Sequence, residues 1–460
     1  MARIVIVGGG MGGLATALFS SRRGHTVTVV DRDPGPPVGG ADEFAAWDRR
    51  GVAQASFSHY FLARSTRVIR EEAVELLDAL AGIGINPSGV RFGEGYEQDR
   101  ALTARRPVYE AVLRRFVQQR TTVELVTGSV RGLLVDRGDP SRAVGVRLDD
   151  GQEVGADLVV DAGGRRSASG RWLREVGLEP PASYEEPVGR HYYCRHYRLR
   201  DGQDYPADDV PIVQPLPYGR VLVFIGDNRT YSVAFELSTD DPLKGRLQDA
   251  EVFDRFLETL PSTSPWQERS EAISDLHVMA GLSNRRRRLV IDGRPVVSGM
   301  VLVGDASQYT NPALGQGVSL TFWMAQTLAG LAERVHADSN GTTSAYEAWV
   351  DDELGPRFEQ QLRVDGEAKR QFLAGLRGEG FIPPTEPDSR FFGAVGALAS
   401  QDQDLLNRVR RVGHLLDRPD SLRADDTLQA RVADLIEDVP TGMTGEGPLS
   451  RDRFETIVTR

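Results

Sequence analysis

Glycines at positions 8, 10 and 13 give the spacing G-x-G-x-x-G within Gly8-Gly9-Gly10-Met11-Gly12-Gly13. Glycine at those places makes a tight turn, lets backbone N–H groups approach a pyrophosphate, and lets a helix pack closely on a strand. Asp31 lies 23 residues after Gly8, where an acid can accept a hydrogen bond from a ribose hydroxyl. A second glycine-rich stretch stands far along the chain: Gly304-Asp305-Ala306, then Asn311-Pro312-Ala313-Leu314-Gly315-Gln316-Gly317. It precedes a helical pattern, and a helix N-terminus offers unpaired N–H groups and a positive dipole end to an anion. Other chemistries lack their residues. Cys194 is the single cysteine, the seven histidines show no HExxH or His/Cys ligand spacing, and no Ser/His/Asp or paired-carboxylate constellation stands out. No metal site is expected.

The first motif sits in a complete βαβ unit. Arg3 to Val7 reads as a strand, Leu14 to Leu18 supplies a helical apolar stripe, and Thr26 to Val30 reads as a second strand ending in Asp31. Phe57 to Gly84 carries apolar residues at helical spacing and predicts a helix. Val123–Val126, Leu133–Val135, Ala156–Asp161 and Met300–Val303 read as strands, and Asp149-Asp150-Gly151 as a hairpin turn. From Arg190 to Glu236 aromatic and arginine residues alternate, which predicts an antiparallel sheet interrupting the α/β part. A helix is expected from Val318 to Ala332, and 342–460 reads as mostly helical with a Gly/Pro-rich break at Gly378 to Pro387. Arg285 to Arg288 reads as a solvated turn or an ion-pair site.

The chain of 460 residues is 40% hydrophobic and 26% charged, enough to bury one or two large cores, so disorder is excluded. A net charge of −11 argues against nucleic acid as partner, because such binding rests on clustered cations. Lys244 and Lys369 are the two lysines, against 53 arginines, a bias that points to a GC-rich genome more than to a function. Met1-Ala2-Arg3 runs directly into an apolar strand, and no run of ~18 apolar residues occurs, so a cytoplasmic protein with no membrane partner is expected.

The second loop resembles the GD box and Pro-x-x-Gly-x-Gly loop of flavoprotein monooxygenases of the para-hydroxybenzoate hydroxylase type, over roughly residues 1 to 335. Arg49-Arg50-Gly51-Val52-Ala53-Gln54 is further similar to the polyether epoxidase branch. The resemblance implies non-covalent FAD, with Gly8, Gly10, Gly13, Asp31 and Arg32 on the ADP half and Gly304 and Asp305 on the ribityl chain. It places Pro312, Gly315, Gln316 and Gly317 along the isoalloxazine, Arg49 on the pyrophosphate, Arg106 at the start of the helix covering the flavin, and Val130 beside adenine. The implied fold is α/β plus β. A Rossmann-like FAD-binding domain (1–75, 98–175 and 285–340) carries an inserted antiparallel-sheet substrate domain (76–97 and 176–284), followed by a helical C-terminal region (341–460).

The chain departs from this family where a DG aspartate would stand: Asp161-Ala162-Gly163-Gly164 places Gly163 there. Direct reduction by NAD(P)H is therefore in doubt, and a separate flavin reductase is left open as partner. Halogenation is not expected, because no lysine occurs in the N-terminal half before Lys244 and no Trp-x-Trp pair exists. The leading expectation is a monooxygenase of secondary metabolism, in antibiotic biosynthesis, that hydroxylates or epoxidises a large apolar, polyketide-like metabolite through a flavin C4a-hydroperoxide. The alternative is a non-redox, FAD-containing 4+2 cyclase, such as those that build a dialkyldecalin, in which FAD shapes the pocket. The flavin carries the chemistry in the first case, so catalytic side chains are few; His59 and Tyr193 are weak candidates to face the substrate, and Trp323 is expected in the core.

Overall fold

In a computed structural model, residues 1–49, 51–52, 54–85, 100–207, 210–435 and 447–460 are described. Five strands form one parallel sheet in the order Met300–Leu302, Leu158–Asp161, Arg3–Val7, Thr26–Asp31, Glu124–Thr127. Ile4, Val5, Ile6 and Val7 are all buried, as in a parallel sheet covered on both faces. The helices Met11–Arg22 and Gly317–Leu331 pack together on one of those faces. The chain therefore enters this layer at its N-terminus and returns after residue 300. The first glycine loop leaves the central strand Arg3–Val7, and the second follows the edge strand Met300–Leu302.

A second sheet is antiparallel, in the order Val213–Leu216, Gly219–Ile225, Thr230–Ser238, Arg190–Leu199, Ser270–Ala272, with His277–Met279 also paired to Arg190–Leu199. Residues 190–236 thus lie apart from the parallel sheet. The arginine run belongs to a strand, Ser283–Arg288, paired with Ala182–Pro187 and Gln308–Tyr309. Its Arg286 and Arg288 both pair with Asp351, so the ion-pair alternative holds and the turn does not.

Two expectations are corrected. Phe57 to Gly84 is not one helix: Ser58–Phe61 is a strand antiparallel to Leu102–Arg105, followed by helices Ala63–Ala73 and Glu75–Ala81. The helical stripe begins only at Leu62, and the polar–aromatic run before it finds a cross-strand partner too distant in sequence for periodicity to reveal. Residues 76–85 were expected with the substrate domain, yet Leu76, Leu80 and Ile85 share a core with Leu14, Leu18 and Phe19 of the first helix. Residues 86–97 of that segment lie outside the described residues.

The C-terminal region is helical, including Gly355–Leu376, Pro387–Ala399 and Gln403–Gly413. Its final helix, Arg451–Thr459, returns to the antiparallel sheet, where Phe454 and Val458 join Phe235 and Phe256 in one core. Trp323 is only half-buried and lies under Arg64, whose guanidinium carbon is 4.1 Å from the ring centroid.

Candidate active site

The first loop is built on contacts that forbid side chains. Gly8 has φ +104°, and a Cβ there would meet Ala162 O at 2.5 Å. A Cβ at Gly13 would stand 1.8 Å from Gly8 O, so the helix abuts the end of its strand as the motif demands. At Gly10 the nearest atom to such a Cβ is Arg49 Nη2 at 3.7 Å, which leaves that side of the turn open to the cavity. Asp31 steadies the turn: its Oδ2 accepts from Gly9 N at 2.6 Å and its Oδ1 from Asp33 N at 2.9 Å. Each oxygen keeps a further lone pair for a ribose hydroxyl. Arg32 lies across Gly51, a second glycine with positive φ.

Three buried cations and three carboxylates gather behind this loop. Arg49 Nη1 is 2.8 Å from Asp33 Oδ2, and Arg49 Nη2 is 2.7 Å from Glu110 Oε1 and 3.7 Å from Asp31 Oδ2. Burial opposes the Arg49 charge, but Glu110, Asp31 and Asp33 outweigh it and hold the guanidinium firmly protonated. The helix Arg106–Arg120 supplies Arg106, Glu110 and Arg114 from successive turns of one face. Arg114 Nη2 donates to the carbonyls of Asp33 and Pro34, fixing the chain after the second strand. Glu110 and Arg114, four and eight residues after Arg106, are not singled out by the sequence reading.

The second loop meets the first across one cavity of about 710 Å³. Gly304–Ala306 is a single tight turn, and Asp305 Oδ2 accepts from Gln54 Nε2 at 3.1 Å. Burial pushes the Asp305 carboxyl upward, while Arg106 and the Gln54 hydrogen bond pull it back. Gly315, at φ +63°, closes the turn Pro312–Leu314 in the left-handed region, and the next helix starts at Gly317. Gly8, Gly10, Asp31, Arg32, Arg49, Arg106, Val130, Gly304, Asp305, Pro312, Gly315 and Gly317 all line the cavity. Gly13 is packed beneath the loop and Gln316 is the residue preceding the helix; neither is on the wall.

The two catalytic candidates separate. His59 lines the cavity, with Nδ1 2.9 Å from Phe57 O and Nε2 3.3 Å from Arg106 Nη1. An Nδ1–H donating to the carbonyl and an Nε2 accepting from the guanidinium use both ring nitrogens. Burial, aided by Arg106, pushes the ring down to about 3, so it is neutral near pH 7. His59 therefore orients Arg106 and has no spare nitrogen for acid–base work. Tyr193 is corrected: it is fully buried in the core with Tyr197 and Phe235, and its hydroxyl donates to Lys244 O at 2.6 Å. The strand alternates, and Tyr192 and Cys194 point instead to the side of Phe57, Met279 and Tyr309, next to the cavity.

Residues 3–89 match the family model described as FAD dependent oxidoreductase. The chain is similar to protein Rv3254 of Mycobacterium tuberculosis, 27% identical over 69% of this chain and 70% of that one. It is also similar to 3-hydroxybenzoate 6-hydroxylase of Polaromonas naphthalenivorans, 30% identical over 44% of this chain and 54% of that one. The solved structure of the Diels-Alderase PyrE3 shares the fold with a TM-score of 0.60 and 13% identity, covering 90% of this chain and 81% of that one. The fold, the first glycine loop and the family match define an FAD-dependent enzyme.

The site's own geometry fits that cofactor. The turn at Gly8, Gly10 and Gly13 leaves room for a phosphate against its backbone, Arg49 Nε is buried with no hydrogen-bond partner among the described residues, and the cavity reaches both loops. Among the described residues no cluster of three ligands could hold a metal, and no helix is long and apolar enough to cross a membrane.

Proposed function

We propose that this enzyme is a monooxygenase that inserts one oxygen atom into a large apolar metabolite, polyketide-like in chemistry. The observation that carries this reading is the composition of the wall of the cavity between the two glycine loops. Beyond the two glycine loops it includes Phe57, Tyr60, Phe224, Met279 and Tyr309, side chains that suit an apolar substrate. Bound FAD supplies the redox chemistry and the reaction with O2. The chain's residues bind and orient: the first loop and Arg49 hold the pyrophosphate, Asp31 the ribose, and Asp305 the ribityl chain. Arg106, held by His59 and Glu110, keeps a positive charge at the cofactor's covering helix, and the N-terminus opened by Gly315 to Gly317 favours the anionic, reduced ring.

Gly163 leaves no carboxylate where related hydroxylases handle the nicotinamide, so electrons come from a separate reductase or slowly from NAD(P)H. The same glycine is compatible with a second reading, a non-redox cyclase in which oxidised FAD shapes the pocket. The two are separated with the purified holoenzyme under anaerobic conditions. It is mixed with NADPH, then with reduced FMN, and finally with a polyene substrate with and without O2. The monooxygenase gives slow reduction by NADPH, fast reduction by FMNH2, and an O2-dependent product heavier by one oxygen. An isomer of unchanged mass formed anaerobically with oxidised flavin decides for the cyclase.

A further inference from the structure

Asn311, the residue before Pro312 on the cavity wall, is gripped from three separate parts of the chain. Its backbone N donates to Asn284 Oδ1 at 2.7 Å, its Nδ2 donates to Asp365 Oδ1 at 2.6 Å, and its Oδ1 is 2.7 Å from the Tyr192 hydroxyl. Asp365 comes from the C-terminal helix Gly355–Leu376 and also accepts from Asn284 Nδ2 at 2.7 Å and pairs with Arg190 Nη2 at 3.1 Å. The Tyr192 hydroxyl lies equally close, 2.7 Å, to Glu236 Oε2, and Glu236 is itself paired with Arg190 and Arg220. Tyr192, Arg190, Glu236, Asn284, Asn311 and Asp365 are all more than nine-tenths buried.

The pairs that meet at Asn311 and Asp365 offset the cost of burying these groups and favour one geometry. It converges on a single backbone position. The residue before a proline already has restricted backbone freedom, and here its side chain is fixed too. The next residues form the turn that ends in Gly315 and starts the helix at Gly317.

We propose that Asp365, acting through Asn311, positions the second glycine loop against the flavin ring, so that the C-terminal helical region is part of the cofactor site. This rests on the reading that the second loop faces the isoalloxazine while the first holds the ADP half. Asp365 is a positioning residue, since Asn311 stands between it and the cavity.

The test compares binding of FAD and of ADP-ribose, which lacks the flavin ring, to apoprotein of the wild type and of Tyr192→Phe, Asn311→Ala and Asp365→Asn. Thermal midpoints and the visible spectrum of bound flavin are recorded alongside. The expected result is an FAD dissociation constant raised about tenfold or more in Asn311→Ala and Asp365→Asn and about threefold in Tyr192→Phe, each with a shifted flavin band. ADP-ribose binding should change less than twofold. Tyr192→Phe and Asn311→Ala remove no charge, so they keep the test open if Asp365→Asn does not fold. FAD and ADP-ribose weakened equally, or a lower thermal midpoint with unchanged FAD affinity and spectrum, overturns the proposal. A wild type that binds ADP-ribose but gains nothing from the flavin half overturns the underlying reading instead.

Discussion

Glu110 joins two cations of the cavity wall: Oε1 is 2.7 Å from Arg49 Nη2 and Oε2 is 3.4 Å from Arg106 Nε. The carboxylate is fully buried, so neither arginine pays its desolvation alone. One turn of the helix Arg106–Arg120 thereby ties Arg49, behind the first glycine loop, to Arg106. Glu110→Gln keeps the shape and removes the charge that Arg49 and Arg106 share, while Arg49 retains Asp31 and Asp33. Its expected cost to the apoprotein is about 3–5 kcal/mol, the range for breaking a buried pair. Urea denaturation of the apoprotein measures it; a loss below about 1 kcal/mol would show that Asp31 and Asp33 alone suffice.

Asp305 is the acceptor that the ribityl chain would use, and Gln54 shows that its carboxylate is oriented to receive a donor at 3.1 Å. Asp305→Ala should weaken FAD by roughly 1.5–3 kcal/mol, the contribution of hydrogen bonds to a charged group. Titration of apoprotein with FAD, followed by tryptophan fluorescence, gives the number. Acid precipitation of the wild type should release all of the yellow chromophore, since no cysteine or histidine stands in the second loop.

The glycine spacing and its flanking strands were legible because they are local: each residue's job follows from neighbours a few positions away. The side of a strand that meets the cavity was not. Tyr192 and Tyr193 are indistinguishable by type, and a shift of one residue exchanges the core face for the cavity face. Glu110 and the Asn311 network were hidden for a related reason. Their partners lie 61 residues away for Arg49 and 54 for Asp365, and among 53 arginines and 66 acids no pattern in one sequence selects the pair.

Three histidines, the cavity residue His59 together with the buried His196 and His414, should set the acid limit of the fold. His196 and His414 are each 8% exposed; burial, then His277 and Arg105 for His196 and Arg410 for His414, pushes both down to about 4. In the unfolded chain each takes a proton near pH 6.5. Between about pH 6.5 and 4 the unfolded state therefore binds more protons than the native one, and stability falls as the pH falls. Each contributes a slope of ~1.4 kcal/mol per pH unit inside that window. His414→Gln keeps an acceptor for Ala63 N, which His414 Nδ1 now receives at 3.2 Å, and should flatten the slope by about that amount. Urea midpoints at pH 7, 6 and 5 check it; a wild type equally stable at all three contradicts the argument.

Gly163 offers the last test, because the space a DG aspartate would need is already in use. Its backbone, at φ −69°, is open to any residue, yet a Cβ there would lie 2.9 Å from Asp161 Oδ1. Asp161 is fully buried, accepts from Gly163 N at 2.9 Å through that same oxygen, and receives the Ser167 hydroxyl on the other. Burial already pushes the Asp161 carboxyl upward, and a second carboxylate beside it would raise it further. Gly163→Asp should therefore displace the buried Asp161 and destabilise the protein by about 1–3 kcal/mol, the range for forcing extra atoms against a well-packed neighbour. For the same reason it should leave reduction of the flavin by NADPH as slow as in the wild type. Thermal melts and anaerobic stopped-flow reduction read the two effects separately. A variant of wild-type stability whose flavin is reduced rapidly by NADPH would show that the missing carboxylate alone limits nicotinamide use, and that Asp161 yields its space at no cost.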